Sequence, residues 1–153
     1  VIERRSPTVE FIGRLQTNKV RLVADLVDVW ASVDRPSVIG EIAKRAPGAR
    51  ILVQVDTTGD PGTGGCPVGE AAHLVEVARD RGLVVDGLMT VGPTGQPPAA
   101  ARSGFRTVRG LVDDLGLAVC SMGMSADLVV AVEEGATEVR VGTALFGQRP
   151  PRG

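Results

Sequence analysis

The sequence predicts an α/β fold in which a parallel sheet is covered by helices. Short apolar segments rich in valine, isoleucine and leucine alternate with segments of helical periodicity, six times in strict order. The strand segments are continuously apolar, which is typical of parallel strands whose two faces are both buried. With 153 residues, 43% of them hydrophobic, the chain has the length and apolar content of one ordinary domain.

The first half of the chain supplies three strands and two helices. Residues 8–12 form a short strand, and Thr17 can cap the helix that follows, whose leucines and valines recur at helical spacing. Residues 29–33 form the second strand, and Pro36 suits the first turn of the second helix because its fixed φ matches a helix. Residues 51–55, with the sequence ILVQV, are the clearest strand of all.

The second half supplies three more strands with their helices. A glycine-rich loop over residues 56–67 leads into a helix at about 68–81 and a strand within 83–91. The remaining predicted elements are a helix at about 99–115, a strand at 117–121, a helix at 125–134, a strand at 137–142 and one short turn at 144–146.

Charge and composition exclude several classes of protein. The net charge is −1 and the basic residues are scattered, so nothing favours nucleic acid as a partner. No apolar run approaches the length of about 18 residues that crosses a bilayer, and no signal peptide opens the sequence. Cys66 and Cys120 lie far from a second cysteine or histidine at ligand spacing. This favours free thiols in the cytoplasm and no metal site.

Two architectures fit this order of elements. One is a doubly wound open sheet, and the other is a TIM-type barrel, which typically needs about 250 residues. The six strand–helix units of this chain are two fewer than the eight of such a barrel. The pattern alone therefore leaves an open sheet and an incomplete barrel as alternatives.

The segment SMGMS, residues 121–125, separates a predicted strand from a predicted helix. Ligands of parallel α/β folds bind beyond the carboxyl ends of strands, and the first N–H groups of a helix attract anions. The hydroxyls of Ser121 and Ser125 could donate hydrogen bonds to a ligand, and Gly123 would let the backbone approach that ligand closely. Alternatively, Ser125 only caps the helix, because Asp127 in the first turn already satisfies the helix dipole.

The last strand carries a second candidate site. Side chains alternate along a strand, so Arg140 and Gly142 share one face while valines occupy the other. An arginine on a buried strand is costly without a partner, and Gly142 with Thr143 offers N–H groups and a hydroxyl. The last two loops of TIM-type barrels often build a phosphate site. A structural ion pair is the alternative role for Arg140.

The remaining polar segments are weaker candidates. The loop GDPGTGGC, residues 59–66, lacks the lysine and hydroxyl spacing of a nucleotide-binding loop, so we expect a mobile surface loop. His73 is the only histidine and lies among acidic residues on its helix, so we expect it to be solvated. The sequence contains no legible catalytic triad, carboxylate pair or metal constellation, and we therefore predict no enzymatic activity.

Five motifs in order resemble the pyridoxal phosphate homeostasis protein family. They are FIGRLQTNK at 11–19, VDR at 33–35, GLMT at 87–90, SMGMSAD at 121–127 and VRVGTALFG at 139–147. The resemblance implies a TIM-type (β/α) barrel of the alanine racemase N-terminal type, incomplete in this chain. It also implies binding of pyridoxal 5′-phosphate without an assigned catalytic activity. Members are implicated in restraining this reactive form of vitamin B6 and delivering it, with PLP-dependent apo-enzymes as possible recipients.

The resemblance also implies roles for individual residues. Ser125, Gly142 and Thr143 match the phosphate-holding positions of the family, with Ser121 and Gly123 in the same loop, and Arg140 matches the arginine that faces the pyridine nitrogen. Arginine stays protonated and only donates hydrogen bonds, so it favours an unprotonated ring nitrogen. Such a ring is a poor electron sink, which suits holding the cofactor better than transamination.

The chain departs from the family pattern at its start. Family members carry their Schiff-base lysine on a strand that precedes the FIG motif, and here only about ten residues precede it. The two lysines, Lys19 and Lys44, do not match that position. We therefore expect an N-terminally truncated member without the covalent anchor, with a partial barrel domain over residues 1–148 and a disordered tail over 149–153. A racemase-type PLP enzyme and an inert fragment remain alternatives.

Overall fold

The computed structural model of the protein describes residues 7–147. The predicted tail at 149–153 lies outside the described residues, so the predicted domain boundaries remain predictions. Between residues 7 and 147 no helix is both long and apolar enough to cross a membrane.

Six parallel strands form the sheet in the order β1-β2-β3-β5-β6-β7, and a two-residue strand, β4, pairs with β3. The strands are β1 (Glu10–Phe11), β2 (Val29–Val33), β3 (Arg50–Asp56), β4 (Cys66–Pro67), β5 (Val84–Met89), β6 (Val119–Met124) and β7 (Glu138–Arg140). The predicted parallel α/β fold is confirmed. All six predicted strands are present, although several are shorter than their apolar runs.

Helices join successive strands and cover one face of the sheet. They are α1 (Thr17–Val23), α2 (Pro36–Arg45), α3 (Ala71–Asp80), α4 (Arg102–Asp114), α5 (Leu128–Glu133) and α6 (Thr143–Phe146), with 3₁₀ turns at Val68–Glu70 and Pro98–Ala101. The apolar stripes of the helices meet the sheet in one large cluster that includes Trp30, Ile51 and Phe105, all fully buried. This cluster is the main core of the molecule.

The opposite face of the sheet is concave. It buries a second, small cluster of Val29, Ala31, Leu52 and Met89. The two end strands, β1 and β7, do not pair, yet burial and then the negative charge of Glu138 on β7 raise the pKa of Glu10 on β1, so the two strands lie near each other. The sheet therefore curls into an incomplete barrel, as predicted, with an open seam between its first and last strands.

The end of β6 differs from the prediction. The strand was expected to stop at Ser121, but it continues to Met124, which pairs with Arg140 of β7. The next helix, expected from Ser125, begins only at Leu128. Pairing with β7 overrides the loop-like composition of SMGM. Gly123 is required there because its φ is +94° and a Cβ would lie 2.4 Å from the Cβ of Ala131 on α5.

Local hydrogen bonds organise the glycine-rich loop. The Asp56 carboxylate accepts the N–H groups of Thr58 at 2.8 Å and Gly59 at 2.9 Å, and these bonds lower the pKa of Asp56. Asp60 accepts the N–H of Gly62 at 2.8 Å. Because side-chain carboxylates already occupy these amides, the loop is not arranged as an anion cradle. At its end, Cys66 is 3% exposed, and burial raises the pKa of its thiol to about 11.

Candidate functional site

The loops after β6 and β7 meet in one open pocket of about 520 Å³. The pocket is lined by Ile12, Met124, Ser125, Ala126, Arg140, Val141, Gly142 and Thr143. Four of the six predicted site residues are thus brought together, at the carboxyl ends of adjacent parallel strands. This is where ligands of barrels and open α/β sheets bind.

Ser125 connects the two loops. Its side-chain Oγ accepts a hydrogen bond of 3.2 Å from the N–H of Ala144, in the first turn of α6. It does not cap α5, which starts three residues later and has Asp127 at its N-cap position. The capping alternative is therefore not what the structure shows, and the exposed Ser125 hydroxyl lies at the pocket instead.

Gly142 and Thr143 form the opposite wall of the pocket. They begin the short helix α6, whose first N–H groups have no partners within the helix. Both residues are exposed, and a Cβ built on Gly142 would meet no atom within 4 Å. Backbone amides, the Thr143 hydroxyl and the Ser125 hydroxyl therefore surround one small volume that can receive a group rich in acceptor oxygens.

Arg140 supplies the only ionisable side chain among the residues that line the pocket in the described part of the chain. One terminal nitrogen, Nη1, donates to Ser121 Oγ at 2.7 Å, and Nη2 donates to the Thr90 carbonyl oxygen at 2.6 Å. Burial lowers the pKa of the guanidinium, against the charges of nearby carboxylates. Arginine nevertheless stays protonated, so Arg140 brings a positive charge to the pocket that it lines.

Ser121 and Gly123 lie behind the pocket rather than at its surface. Both belong to β6, and neither lines the cavity. Ser121 is fully buried with its hydroxyl engaged by Arg140, while Gly123 allows α5 to pack closely on the strand. These two residues support the site from within the sheet, and their direct contact with a ligand remains a prediction.

Three residues around Arg140 were not identified from the sequence. Thr90 belongs to the GLMT motif, from which no role for it is predicted, yet its carbonyl oxygen accepts a hydrogen bond from Arg140 and its own hydroxyl donates to the Val55 carbonyl at 2.8 Å. Glu138 shares a strand face with Arg140, and Glu10 approaches from β1. The alternation of side chains along β7 could have placed Glu138 on the same face as Arg140. The proximity of Glu10 and Thr90 to Arg140 could be found only from the order and register of the strands.

The other candidates lie away from this pocket. His73 is exposed on α3 and lines a separate depression with Asp34, Cys66 and Glu70. The two lysines, Lys19 on α1 and Lys44 on α2, are exposed and do not line the pocket. The chemistry of the pocket is therefore that of fixed hydrogen-bond donors and one cation.

Comparison with known proteins shows the family to which the chain is similar. The family profile of the alanine racemase N-terminal domain matches residues 4–150. A pyridoxal phosphate homeostasis protein of Aquifex aeolicus is 43% identical over 150 residues, covering 91% of this chain and 66% of the relative. One from Corynebacterium glutamicum is 33% identical, covering 94% of this chain and 72% of the relative. The chain thus spans about two thirds of the length of the curated relatives it matches.

Solved structures show the same relationship. PipY of Synechococcus elongatus PCC7942, determined without PLP, superposes with a TM-score of 0.83 at 31% identity, covering 92% of this chain and 71% of PipY. The form of PipY with PLP bound also gives a TM-score of 0.83, at 29% identity, covering 95% of this chain and 73% of that protein. The chain belongs to the alanine racemase N-terminal domain family and, within it, to the pyridoxal phosphate homeostasis proteins.

Proposed function

We propose that this chain binds pyridoxal 5′-phosphate in the pocket between the β6–α5 and β7–α6 loops and acts in the homeostasis of intracellular vitamin B6. The observation that carries the proposal is the convergence of Ser125, Arg140, Gly142 and Thr143 on one cavity. Curated relatives bear the name of this function, and PipY has been solved with the cofactor bound.

The donors of the pocket fit a phosphate ester. Ser125 and Thr143, which carry hydroxyls, line the same cavity as Gly142 at the start of α6, and no carboxylate lines it within residues 7–147. A dianion needs several hydrogen-bond donors and no nearby anion. A volume of about 520 Å³ lies within the range of small-ligand pockets.

Arg140 would face the ring rather than the phosphate. Bound pyridoxal phosphate supplies a reactive aldehyde and a pyridine ring that can accept electron density. The guanidinium is held by Ser121 and the Thr90 carbonyl, so it presents further N–H donors from a fixed position. A permanent donor opposite the ring nitrogen keeps that nitrogen unprotonated and restrains the ring chemistry.

A non-catalytic role fits the lining of the pocket best. Among the described residues, Arg140 is the one ionisable group at the cavity, and an arginine does not exchange protons near neutral pH. Lys19, Lys44 and His73 lie elsewhere on the surface. The chain would therefore hold the cofactor reversibly and release it to PLP-dependent apo-enzymes in the cytoplasm, where its two free thiols, Cys66 and Cys120, remain reduced.

Binding measurements with matched variants test this proposal. Titration with pyridoxal phosphate and with pyridoxal, followed by cofactor absorbance and fluorescence, should show binding that depends on the phosphate. Thr143→Val removes one hydroxyl from the pocket and should weaken binding about 10-fold or more, since a hydrogen bond to a charged group contributes about 1.5–3 kcal/mol. Thr107→Val, on the exposed face of α4, is the control and should leave the affinity unchanged.

Two further results decide between the proposal and its alternatives. Borohydride reduction followed by mass spectrometry should leave Lys19 and Lys44 without a stoichiometric pyridoxyl group, and incubation with amino acids should give no turnover. Specific labelling of one lysine together with turnover would favour a racemase-type enzyme. Equal affinity for pyridoxal and pyridoxal phosphate, or no binding of either, would reject the proposed pocket and favour an inert fragment.

A further inference from the structure

A second cavity, of about 150 Å³, lies beside the proposed cofactor pocket at the carboxyl ends of β5 and β6. Its walls come from residues 92–98 after β5, from Ala101 just before α4, and from Met124, Ala126 and Asp127 around the end of β6. Met124 and Ala126 also line the proposed cofactor pocket, so the two cavities are neighbours. The proposed function assigns no ligand to the second cavity.

Asp127 brings a carboxylate to this cavity, although the residue is only 8% exposed. One oxygen, Oδ1, accepts the N–H of Met124 at 2.6 Å. The other oxygen, Oδ2, faces Gly92, because a Cβ built on Gly92 would lie 2.5 Å from it. Within residues 7–147, no hydrogen-bond donor reaches Oδ2. A buried carboxylate therefore keeps one acceptor free at the wall of the cavity.

Helix capping does not account for this free oxygen. Asp127 occupies the N-cap position of α5, but its side chain forms no capping hydrogen bond to that helix. Its one hydrogen bond runs back to Met124, at the end of β6, and uses only Oδ1. The position of Oδ2 against Gly92 is therefore left without a structural role in the part of the chain that the structure describes.

The nearby cations are engaged with other groups. Arg102 and Arg106 of α4 form ion pairs with Glu134, at 2.6 Å and 3.0 Å. Arg140 senses the charge of Asp127, but both of its terminal nitrogens donate to other groups. Among the described residues, no basic side chain forms an ion pair with Asp127. Because a buried carboxylate without a cation is costly, this one favours a ligand that carries positive charge and donates a hydrogen bond.

The walls of the cavity narrow the class of cation. Pro93, Pro97, Pro98 and Ala101 offer apolar surface that suits methylene groups, and proline holds that surface in a fixed backbone conformation. The lining contains no aromatic ring, which a quaternary ammonium would require. Within residues 7–147, no cluster of histidine, cysteine and carboxylate side chains fits a metal ion. A primary ammonium on a short aliphatic chain matches both the free acceptor and the apolar walls.

We propose that this cavity binds the primary ammonium group of a short aliphatic amine, with Asp127 Oδ2 as the acceptor and the prolines around the methylene groups. An α-amino acid fits less well, because its own carboxylate would lie beside that of Asp127. An amine held here would lie next to the cofactor pocket, since Met124 and Ala126 line both cavities. The site itself uses residues that the proposed function does not, so it stands independently of that function.

Titration of the cofactor-free protein with butylammonium chloride, in an amine-free buffer of constant ionic strength, tests the site. The backbone N–H resonances of Gly92 and Met124 should shift and reach saturation, since both residues contact the Asp127 carboxylate. 1-Butanol has the same chain without the charge and should bind about 10-fold more weakly or worse. This comparison needs no substitution. Equal affinity for the two ligands, or no saturable shift at Gly92 and Met124, overturns the proposal.

Three variants locate the ammonium group. Asp127→Asn keeps an acceptor for the Met124 N–H but removes the charge, and should weaken butylammonium binding about 10-fold or more. Gly92→Ala should also weaken it, because the new methyl group would stand against Oδ2; the φ of Gly92 is not positive, so alanine is tolerated there. Asp114→Asn removes the same charge at an exposed position of α4 and should change nothing. Unchanged affinity in Asp127→Asn, or an equal loss in Asp114→Asn, overturns the proposal.

Two further ligands identify the source of the amine. Nα-acetyl-lysine methylamide presents the end of a lysine side chain, and its binding would extend the ligand class to lysines of other proteins. Its exclusion, with butylammonium still bound, would restrict the class to free amines. Alanine should not compete with butylammonium, and equal affinity for alanine would overturn the assigned class. Because no pyridoxal phosphate is present in these titrations, their failure would leave the proposed cofactor pocket untouched.

Discussion

The outer face of the sheet packs against the helices and buries a large apolar cluster, whereas the inner face buries only Val29, Ala31, Leu52 and Met89. The inner face also carries the buried polar side chains of Gln54 and Ser121, and the Ser121 hydroxyl accepts a hydrogen bond from Arg140. The outer face supplies most of the burial that stabilises the fold. The inner face instead holds one charged side chain in position, and the pocket is built at its rim.

The largest expected loss of stability comes from a substitution in the core on the outer face of the sheet. Phe105→Ala empties a fully buried position on α4 and should lower the free energy of unfolding by about 3–5 kcal/mol, because a cavity replaces the ring. Urea unfolding measures the loss. Phe146→Ala, at a position that is 86% exposed, is the control and should cost less than about 0.5 kcal/mol. Similar losses for both variants would contradict the assignment of the core.

A second variant tests how closely the central strands approach each other. Gly87 lies on β5 opposite Val119, and an added Cβ would lie 1.9 Å from the Val119 carbonyl oxygen. Gly87→Ala should therefore destabilise the protein by about 3 kcal/mol, at the upper end for overpacking, since backbone cannot move aside without breaking the ladder. Thermal unfolding provides the measurement. Gly110→Ala on α4, where a Cβ meets nothing within 4 Å, should be neutral or slightly stabilising.

The smallest expected loss of stability comes from a substitution on the inner face, where a second measurement can follow Arg140 itself. Ser121→Ala removes one acceptor of Arg140 and should cost about 1.5–3 kcal/mol, as expected for a hydrogen bond to a charged group. Unlike the two preceding variants, it should also release the Arg140 side-chain N–H resonances to faster exchange with water. Ser37→Ala, at an exposed position on α2, should change neither quantity. A loss of stability without faster exchange of the Arg140 side-chain N–H groups would show that Ser121 contributes packing and does not hold Arg140 in place.

Much of the fold could be predicted because its signals are local. The apolar runs around Val29 and Ile51 and the helical spacing between them need no knowledge of tertiary contacts. The continuation of β6 through Gly123 could not be predicted, because glycine and serine favour a loop and only pairing with β7 overrides that preference. The curl of the sheet was likewise expected from a family resemblance and not from periodicity.

The residues that meet in the pocket could be predicted from the sequence, whereas the residues that hold Arg140 in place could not. The motifs placed Ser125, Arg140, Gly142 and Thr143 at strand ends, and the structure brings all four to one pocket. Arg140 contacts Thr90, 50 residues earlier in the chain, and this contact depends on the sheet order. Glu10 is farther still, at the other end of the sheet. Interactions of this kind depend on register, which no single segment encodes.

The rates at which the two buried thiols are alkylated can report how different parts of the sheet open. Cys66, 3% exposed, follows the glycine-rich loop, and Cys120, fully shielded, occupies β6 between two neighbouring strands. Because alkylating reagents attack only accessible thiolates, each sulfur can react only when its own surroundings open. The peripheral thiol should be modified during local opening, and the central one only when the sheet itself comes apart. Their two labelling rates, measured in one experiment, would therefore distinguish local opening around Cys66 from global unfolding.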